Sequence, residues 1–188
     1  IAVCGYHGWQ DWYIGSTTRD LGVPKAVKDL THKYEYNNIE SLEKIFQEQE
    51  LACVIMEPMN VLYPKDGLLE KVKKLTHENN ALLIFDETVT GFRYSLGGAQ
   101  ELFRITPDLA TFGKGMANGY PLSAIVGSNE IMQKVEDIFF SGTFGGETLS
   151  LAAANAVIDK HKNHNVIGHF VKIGKYLMKQ LQELLDEK

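Results

Sequence analysis

Cysteine, basic excess and long apolar runs are all scarce in this sequence, and each scarcity removes a class of function. Only two cysteines occur in 188 residues, Cys4 and Cys53, each inside an apolar stretch where a reduced thiol behaves as a small hydrophobe. A disulfide is not expected. Nineteen lysines and arginines stand against 24 aspartates and glutamates, a net charge of −5 with both signs interspersed. That leaves no basic stripe for a phosphate backbone, so nucleic acid is not an expected partner. Apolar runs such as residues 81–85 end far short of a bilayer span, and no charged-then-apolar leader opens the chain. No membrane contact is expected, and the cytoplasm is the expected compartment. Internal repeats, low-complexity tracts and linkers are also missing before the charged tail at residues 186–188.

What is present is enough hydrophobic residue, 44%, to bury a real core. Short apolar runs at residues 1–4, 51–56, 81–85, 109–112 and 122–126 alternate with longer amphipathic segments. Residues 39–49 and 68–78 carry apolar side chains at three-and-four spacing, as helices crossing between strands do. From Leu149 the pattern is helical almost to the end. This alternation predicts an α/β fold around a mostly parallel sheet, with helices on both faces. In such sheets ligands collect beyond the carboxyl ends of the strands, where Glu57, Asp86 and Lys114 all fall. The chain opens directly on a strand-like run without an initiator Met, which reads as a piece of a longer protein.

Four apolar residues followed by Asp86 and Glu87 also suit a magnesium-holding strand of a nucleotide hydrolase, but the companion phosphate loop is missing. Asp108 stands where that loop needs its first glycine, and Gly115 where it needs a hydroxyl after the lysine. A strand-end aspartate can instead keep a pyridine nitrogen protonated, since an opposite charge favours the charged form. Pyridoxal 5'-phosphate needs that partner together with a lysine for its aldehyde. Lys114 lies between Gly113 and Gly115, which would let a flat ring approach, and partial burial there would ease loss of its proton. Taken alone, Gly-Lys-Gly also reads as an exposed turn. Tyr6 and His7 follow the first strand, where an aromatic can stack on a ring or simply pack. Thr143, with Gly145 and Gly146, precedes a long helix whose amides would suit a phosphate, or whose start Glu147 would cap.

Four blocks, VIMEP (54–58), LLIFDETVTGFR (82–93), TPDLATFGKGMANGYPLSA (106–124) and TFGGETLSLAAANA (143–156), occur in an order and spacing that resemble the class III pyridoxal-phosphate-dependent aminotransferases. The 27 residues between Asp86 and Lys114 fit as well. Residues 90–114 are most similar to the glutamate-1-semialdehyde aminomutase branch and its aminotransferase relatives. The resemblance implies a fold type I large domain, a three-layer sandwich, with pyridoxal 5'-phosphate as cofactor. It implies Lys114 as the Schiff-base lysine and proton shuttle, Asp86 at the pyridine nitrogen, and Thr88 against one ring face, in place of the family's usual valine. Tyr6 would stack on the other face with His7 beside it, and Glu57 would accept a hydrogen bond behind them. Thr143 would reach the phosphate of a neighbouring subunit, which makes a homodimer the expected assembly. Arg93 fits either a substrate carboxylate or a structural ion pair.

The same resemblance implies that residues 1–188 are the central part of the large cofactor domain, mainly helical over 149–188. An upstream phosphate cup and a downstream small domain would lie outside them. Residues 115–124 look more like a transaminase than a true aminomutase, and Glu147-Thr148 depart from the family's usual Asn-Pro. The expected activity is transfer of an amino group from an amine or amino acid to a keto or aldehyde acceptor. A 2,1-aminomutase is the alternative, and an inactive cofactor-domain fragment a third reading.

Overall fold

The apolar runs become strands because each is short, rich in Val, Ile, Leu or Phe, and bounded by polar or glycine residues. A computed structural model describes residues 1–186 of the chain; Glu187 and Lys188, in the charged tail, lie outside the described residues. Its strands are β1 (Ala2–Cys4), β2 (His32–Lys33), β3 (Cys53–Met56), β4 (Leu82–Asp86), β5 (Leu109–Phe112) and β6 (Ala124–Gly127). They form one six-stranded sheet in the order β2-β1-β3-β4-β5-β6. The first five neighbours run parallel and β6 runs antiparallel to β5.

Two strands differ from expectation. β2 is too short and polar to stand out as an apolar run. β6 starts at Ala124 rather than at residue 122 and turns back on β5. The connection from Phe112 is too short to hold a crossover helix, so the strand returns antiparallel. The order 2-1-3-4-5 has consequences for function. The chain leaves β1 toward one side for β2 and toward the other for β3, so a crevice opens between the ends of β1 and β3.

The helices are α1 (Asp11–Ile14), α2 (Lys25–Lys28), α3 (Ile39–Glu48), α4 (Leu68–Glu78), α5 (Ala99–Phe103), α6 (Asn129–Met132), α7 (Thr148–Asn163) and α8 (Val166–Asp186). Asn38 starts α3 by accepting from the amide of Ser41 at 3.1 Å. Leu42 of α3 and Leu68, Leu69 and Val72 of α4 pack on Val54, Met56, Leu83, Phe85 and Ala110 of the sheet in the main core. Each such burial stabilises by ~1.5–3 kcal/mol. Along β3 and β4 the alternate residues are half-buried, and Leu82 is exposed, so the opposite face is less fully covered than an enclosed parallel sheet implies. A smaller cluster seats α7 through Ala153 and Ala154 against Met116, Phe112, Leu122 and Ala124. The helical pattern expected from Leu149 forms two helices, α7 beginning at Thr148 and α8 at Val166, on either side of His164–Asn165.

Candidate active site

Parallel strands place their carboxyl ends on one edge, and four of them deliver chemistry there: Tyr6 and His7 after β1, Glu57 after β3, Asp86 at the end of β4 and Lys114 after β5. The β1 turn is tight. Gly5 has φ +107°, and a Cβ on it would come within 2.6 Å of Glu57 Oε2, so only glycine lets the chain pass. Glu57 Oε2 then accepts from the amide of Tyr6 at 3.0 Å, and the Tyr13 hydroxyl donates to the Gly5 carbonyl at 3.0 Å. These bonds hold His7 inward, its side chain 1% exposed, while Tyr6 stays 63% exposed.

His7 presents Nδ1 to Asp86 Oδ2 at 2.8 Å and Nε2 to the Cys4 carbonyl at 3.0 Å. Both partners are acceptors, and only the doubly protonated ring donates to both. Asp86 Oδ1 accepts from the Thr88 amide at 3.0 Å and from the Thr111 hydroxyl at 3.1 Å. Burial alone would raise the Asp86 carboxyl, but the hydrogen bonds from His7 and Thr88, with the charge of His7, outweigh it and hold the carboxyl at about 2. Asp86 is therefore a fixed negative charge at neutral pH. Cys4 takes no part as a nucleophile: burial, then the charge of Glu57, push its thiol up to about 12.

Lys114 opens a 3₁₀ turn, Lys114–Met116, one residue after the backbone passes close to Thr88: a Cβ on Gly113 would meet Thr88 Cγ2 at 3.4 Å. The expected partial burial of Lys114 is not found; the side chain is exposed. Its flanking glycines contribute no side chain to cover it, and its backbone takes φ +34°, a turn conformation. Thr143 lies in an exposed loop that shares a cleft with Pro121, Leu122 and Ser123 and makes no hydrogen bond to the Asp86 cluster. The amides at the start of α7 are not free for an anion, because Glu147 caps them, accepting from Leu149 at 2.8 Å and Ser150 at 2.7 Å. Arg93 makes no ion pair among the described residues. No group of three or more His, Cys, Asp or Glu among the described residues is arranged to hold a metal ion, and none of the described helices is long and apolar enough to cross a membrane.

Two further residues matter here: Thr111, which the sequence did not single out, and Glu87, which it paired with Asp86 only as a candidate magnesium-holding strand end. Thr111 faces Asp86 across the β4–β5 register, and a hydroxyl three positions before Lys114 was the available signal. Glu87 is fully buried without a cation. It accepts from Ala99 N at 2.8 Å, from Gln100 N at 2.7 Å and from the Thr90 hydroxyl, so it fastens the start of α5, and with it the intervening loop, to the residue next to Asp86. Gly98 lets it fit: a Cβ there would lie 2.5 Å from Glu87 Oε2. Glu87→Ala strands two buried amides and a hydroxyl, so urea unfolding is expected to show a loss of about 3 kcal/mol. A loss below about 1 kcal/mol would show that water replaces the carboxylate.

The family model for class III aminotransferases matches residues 16–188. The 3-aminobutyryl-CoA aminotransferase of Cloacimonas acidaminovorans is 37% identical over 196 residues, covering 100% of this chain and 47% of its own. The glutamate-1-semialdehyde 2,1-aminomutase of Methanothrix thermoacetophila is 39% identical over 199 residues, covering 97% of this chain and 46% of its own. Among solved structures, the PLP internal aldimine form of the FumI protein from a Sphingopyxis species superimposes with a TM-score of 0.86 at 27% identity, over 97% of this chain and 46% of that one. An omega-transaminase from Sphaerobacter thermophilus gives a TM-score of 0.75 at 28% identity, over 85% of this chain and 43% of that one. The chain thus spans about half the length of the curated relatives it matches. A parallel strand order that brings a half-buried, ionised Asp86 and Lys114 to the same edge agrees with these matches, and the chain belongs to the class III aminotransferases.

Proposed function

We propose that this protein is a pyridoxal-phosphate-dependent aminotransferase, moving an amino group between an amine or amino-acid donor and a keto or aldehyde acceptor. The observation that carries the reading is Asp86, kept ionised by His7, Thr88 and Thr111 at the sheet edge that also bears Lys114. The residues fit the cofactor: a fixed carboxylate for a ring nitrogen, an exposed amine for an aldehyde, and an exposed aromatic, Tyr6, for a ring face. When bound, pyridoxal phosphate supplies the aldehyde that captures the amino group and a protonated ring that withdraws electrons from the substrate carbon.

Asp86 holds the proton on the ring nitrogen by its charge, and His7 fixes the carboxylate's orientation. Tyr6 would lie against one face of the ring and Thr88 against the other, and Glu57 holds the Tyr6 backbone by accepting from its amide. Lys114 Nζ, exposed and free to swing on its turn, removes a proton from the substrate carbon and returns it elsewhere. Residues 1–188 form, in this reading, the central part of the large cofactor domain of a cytoplasmic enzyme. The half-length match to relatives supports the first point, and two free cysteines support the second.

A homodimer belongs to the same proposal. Phe139, Phe140 and Phe144 around Thr143 are 97%, 69% and 54% exposed, an apolar patch that a second copy would bury while bringing Thr143 to the neighbouring cofactor phosphate. Sedimentation should find a dimer that Phe139→Ser with Phe140→Ser converts to monomer; a wild-type monomer contradicts this assembly.

The aminomutase relative, 39% identical against 37% for the aminotransferase, keeps an intramolecular reading in play. It uses the same side chains but retains the intermediate in the site. Turnover of an amino donor should require an added keto acid or aldehyde. Turnover of an amino-aldehyde without any acceptor would establish the mutase instead, and protein that binds no cofactor would be the inactive fragment.

A further inference from the structure

A cleft of about 560 Å³ opens between the loop bearing Phe92 and Arg93, the turn at Gly115, and the junction of α7 with α8. Its size suits a small ligand, for which pockets run to ~300–1,000 Å³. Lys114 does not line it. Arg93, Lys160, His164 and His169 reach its wall, no aspartate or glutamate does, and none of the four makes an ion pair among the described residues.

The surroundings share this sign. Residues 148–182 hold five lysines and three histidines against one acid, Asp159, in a chain whose net charge is −5. Asn165 and Val166 also line the cleft at the start of α8, where Gly168 N donates to Asn165 Oδ1 at 3.0 Å and Val166 N to the His164 carbonyl at 2.9 Å, so the positive charge there is that of the side chains. Basic side chains gathered without counter-charge repel one another, and an anion removes that repulsion.

The cleft also has an aromatic wall. His161 stands edge-on between Phe92, at 5.9 Å, and Phe170, at 6.3 Å. Burial lowers its pKa below the ordinary 6.5, so at neutral pH it serves as an uncharged ring. A flat apolar body fits against such a wall, whereas a bare inorganic ion would leave it wet.

We propose that this cleft binds a small organic anion, with its phosphate or carboxylate group held by Arg93 and Lys160 and a flat apolar body against Phe92, His161 and Phe170. Its argument is independent of the cofactor assignment. Because Gly115 forms part of the wall, an occupant packs directly on the turn that carries Lys114.

The chain has six histidines, three in the cleft and three, His7, His32 and His77, outside it. Titration with phenyl phosphate, followed by the histidine ring-proton NMR signals, should shift those of His161, His164 and His169 saturably and leave the other three in place. Arg93→Gln with Lys160→Gln should weaken the binding about tenfold or more, since each removes a charged hydrogen-bond donor. Both side chains are exposed, so the fold should survive, with an unmoved His77 signal as its check; Lys160→Glu alone should weaken binding in the same direction. Inorganic phosphate should bind more weakly than phenyl phosphate. The proposal is overturned by an absence of shifts, by equal shifts and affinity with uncharged phenol, by unchanged affinity in the double variant, or by shifts confined to His7.

Discussion

Lys114→Ala is expected to reduce amino transfer to the background of cofactor free in solution while leaving the fold intact. The Lys114 side chain is exposed and makes no hydrogen bond among the described residues, so unfolding free energy should change by no more than about 0.5 kcal/mol. In the proposed function its loss would remove both the amine that holds the cofactor covalently and the group that moves the substrate proton. Lys114→Arg sharpens the test, because it keeps the positive charge but its guanidinium does not give up a proton in a protein. If the lysine only attracted phosphate, the arginine variant would retain most of its turnover. In this account it is as inactive as the alanine variant, measured by keto-acid-dependent loss of the amino donor.

Asp86→Asn is expected to lower turnover by about 10²- to 10³-fold, the scale of removing one preorganised charge from a reacting centre. The amide is nearly the same size, so the effect belongs to the charge. It also places an NH₂ donor among three donors, His7, Thr88 N and Thr111 Oγ1, that all need an acceptor. The same variant should alter acid stability. The folded carboxyl titrates at about 2, below its ordinary value of 3.8. Its contribution is therefore present above about pH 4 and is lost as pH falls through the folded value. The difference corresponds to about 2 kcal/mol at neutral pH, on a side chain only 12% exposed. Acid unfolding of Asp86→Asn should consequently fall less between pH 4 and 2 than that of the parent; parallel curves would show that the pair adds nothing to the fold.

Much of this architecture could be read from residue pattern, because five of the six strands fall on the apolar runs and α3 and α4 repeat at helical spacing. β2 escaped since two residues, His and Lys, hold no apolar signal, and are strand only because β1 offers them partners. The antiparallel return of β6 depends on the length of a connection, which hydrophobic pattern does not report. At the site, Asp86, His7, Glu57 and Thr88 do converge, because strand ends of a parallel sheet share an edge whatever lies between them. Glu87 was hidden for the opposite reason. A carboxylate beside Asp86 reads as half of a metal-holding pair until a loop brings α5 back to cover it. Exposure of Lys114 was one of two readings the sequence left open, since Gly-Lys-Gly suits an exposed turn as well as a close approach to a flat ring.

The central claim is that one lysine, Lys114, on the sheet edge that also bears Asp86, would carry the cofactor. Protein incubated with pyridoxal phosphate, reduced with borohydride, digested and mapped by mass spectrometry should carry the phosphopyridoxyl group on Lys114 and on no other lysine at stoichiometric level. Label on a different lysine, or none above that of unfolded protein, would contradict the account.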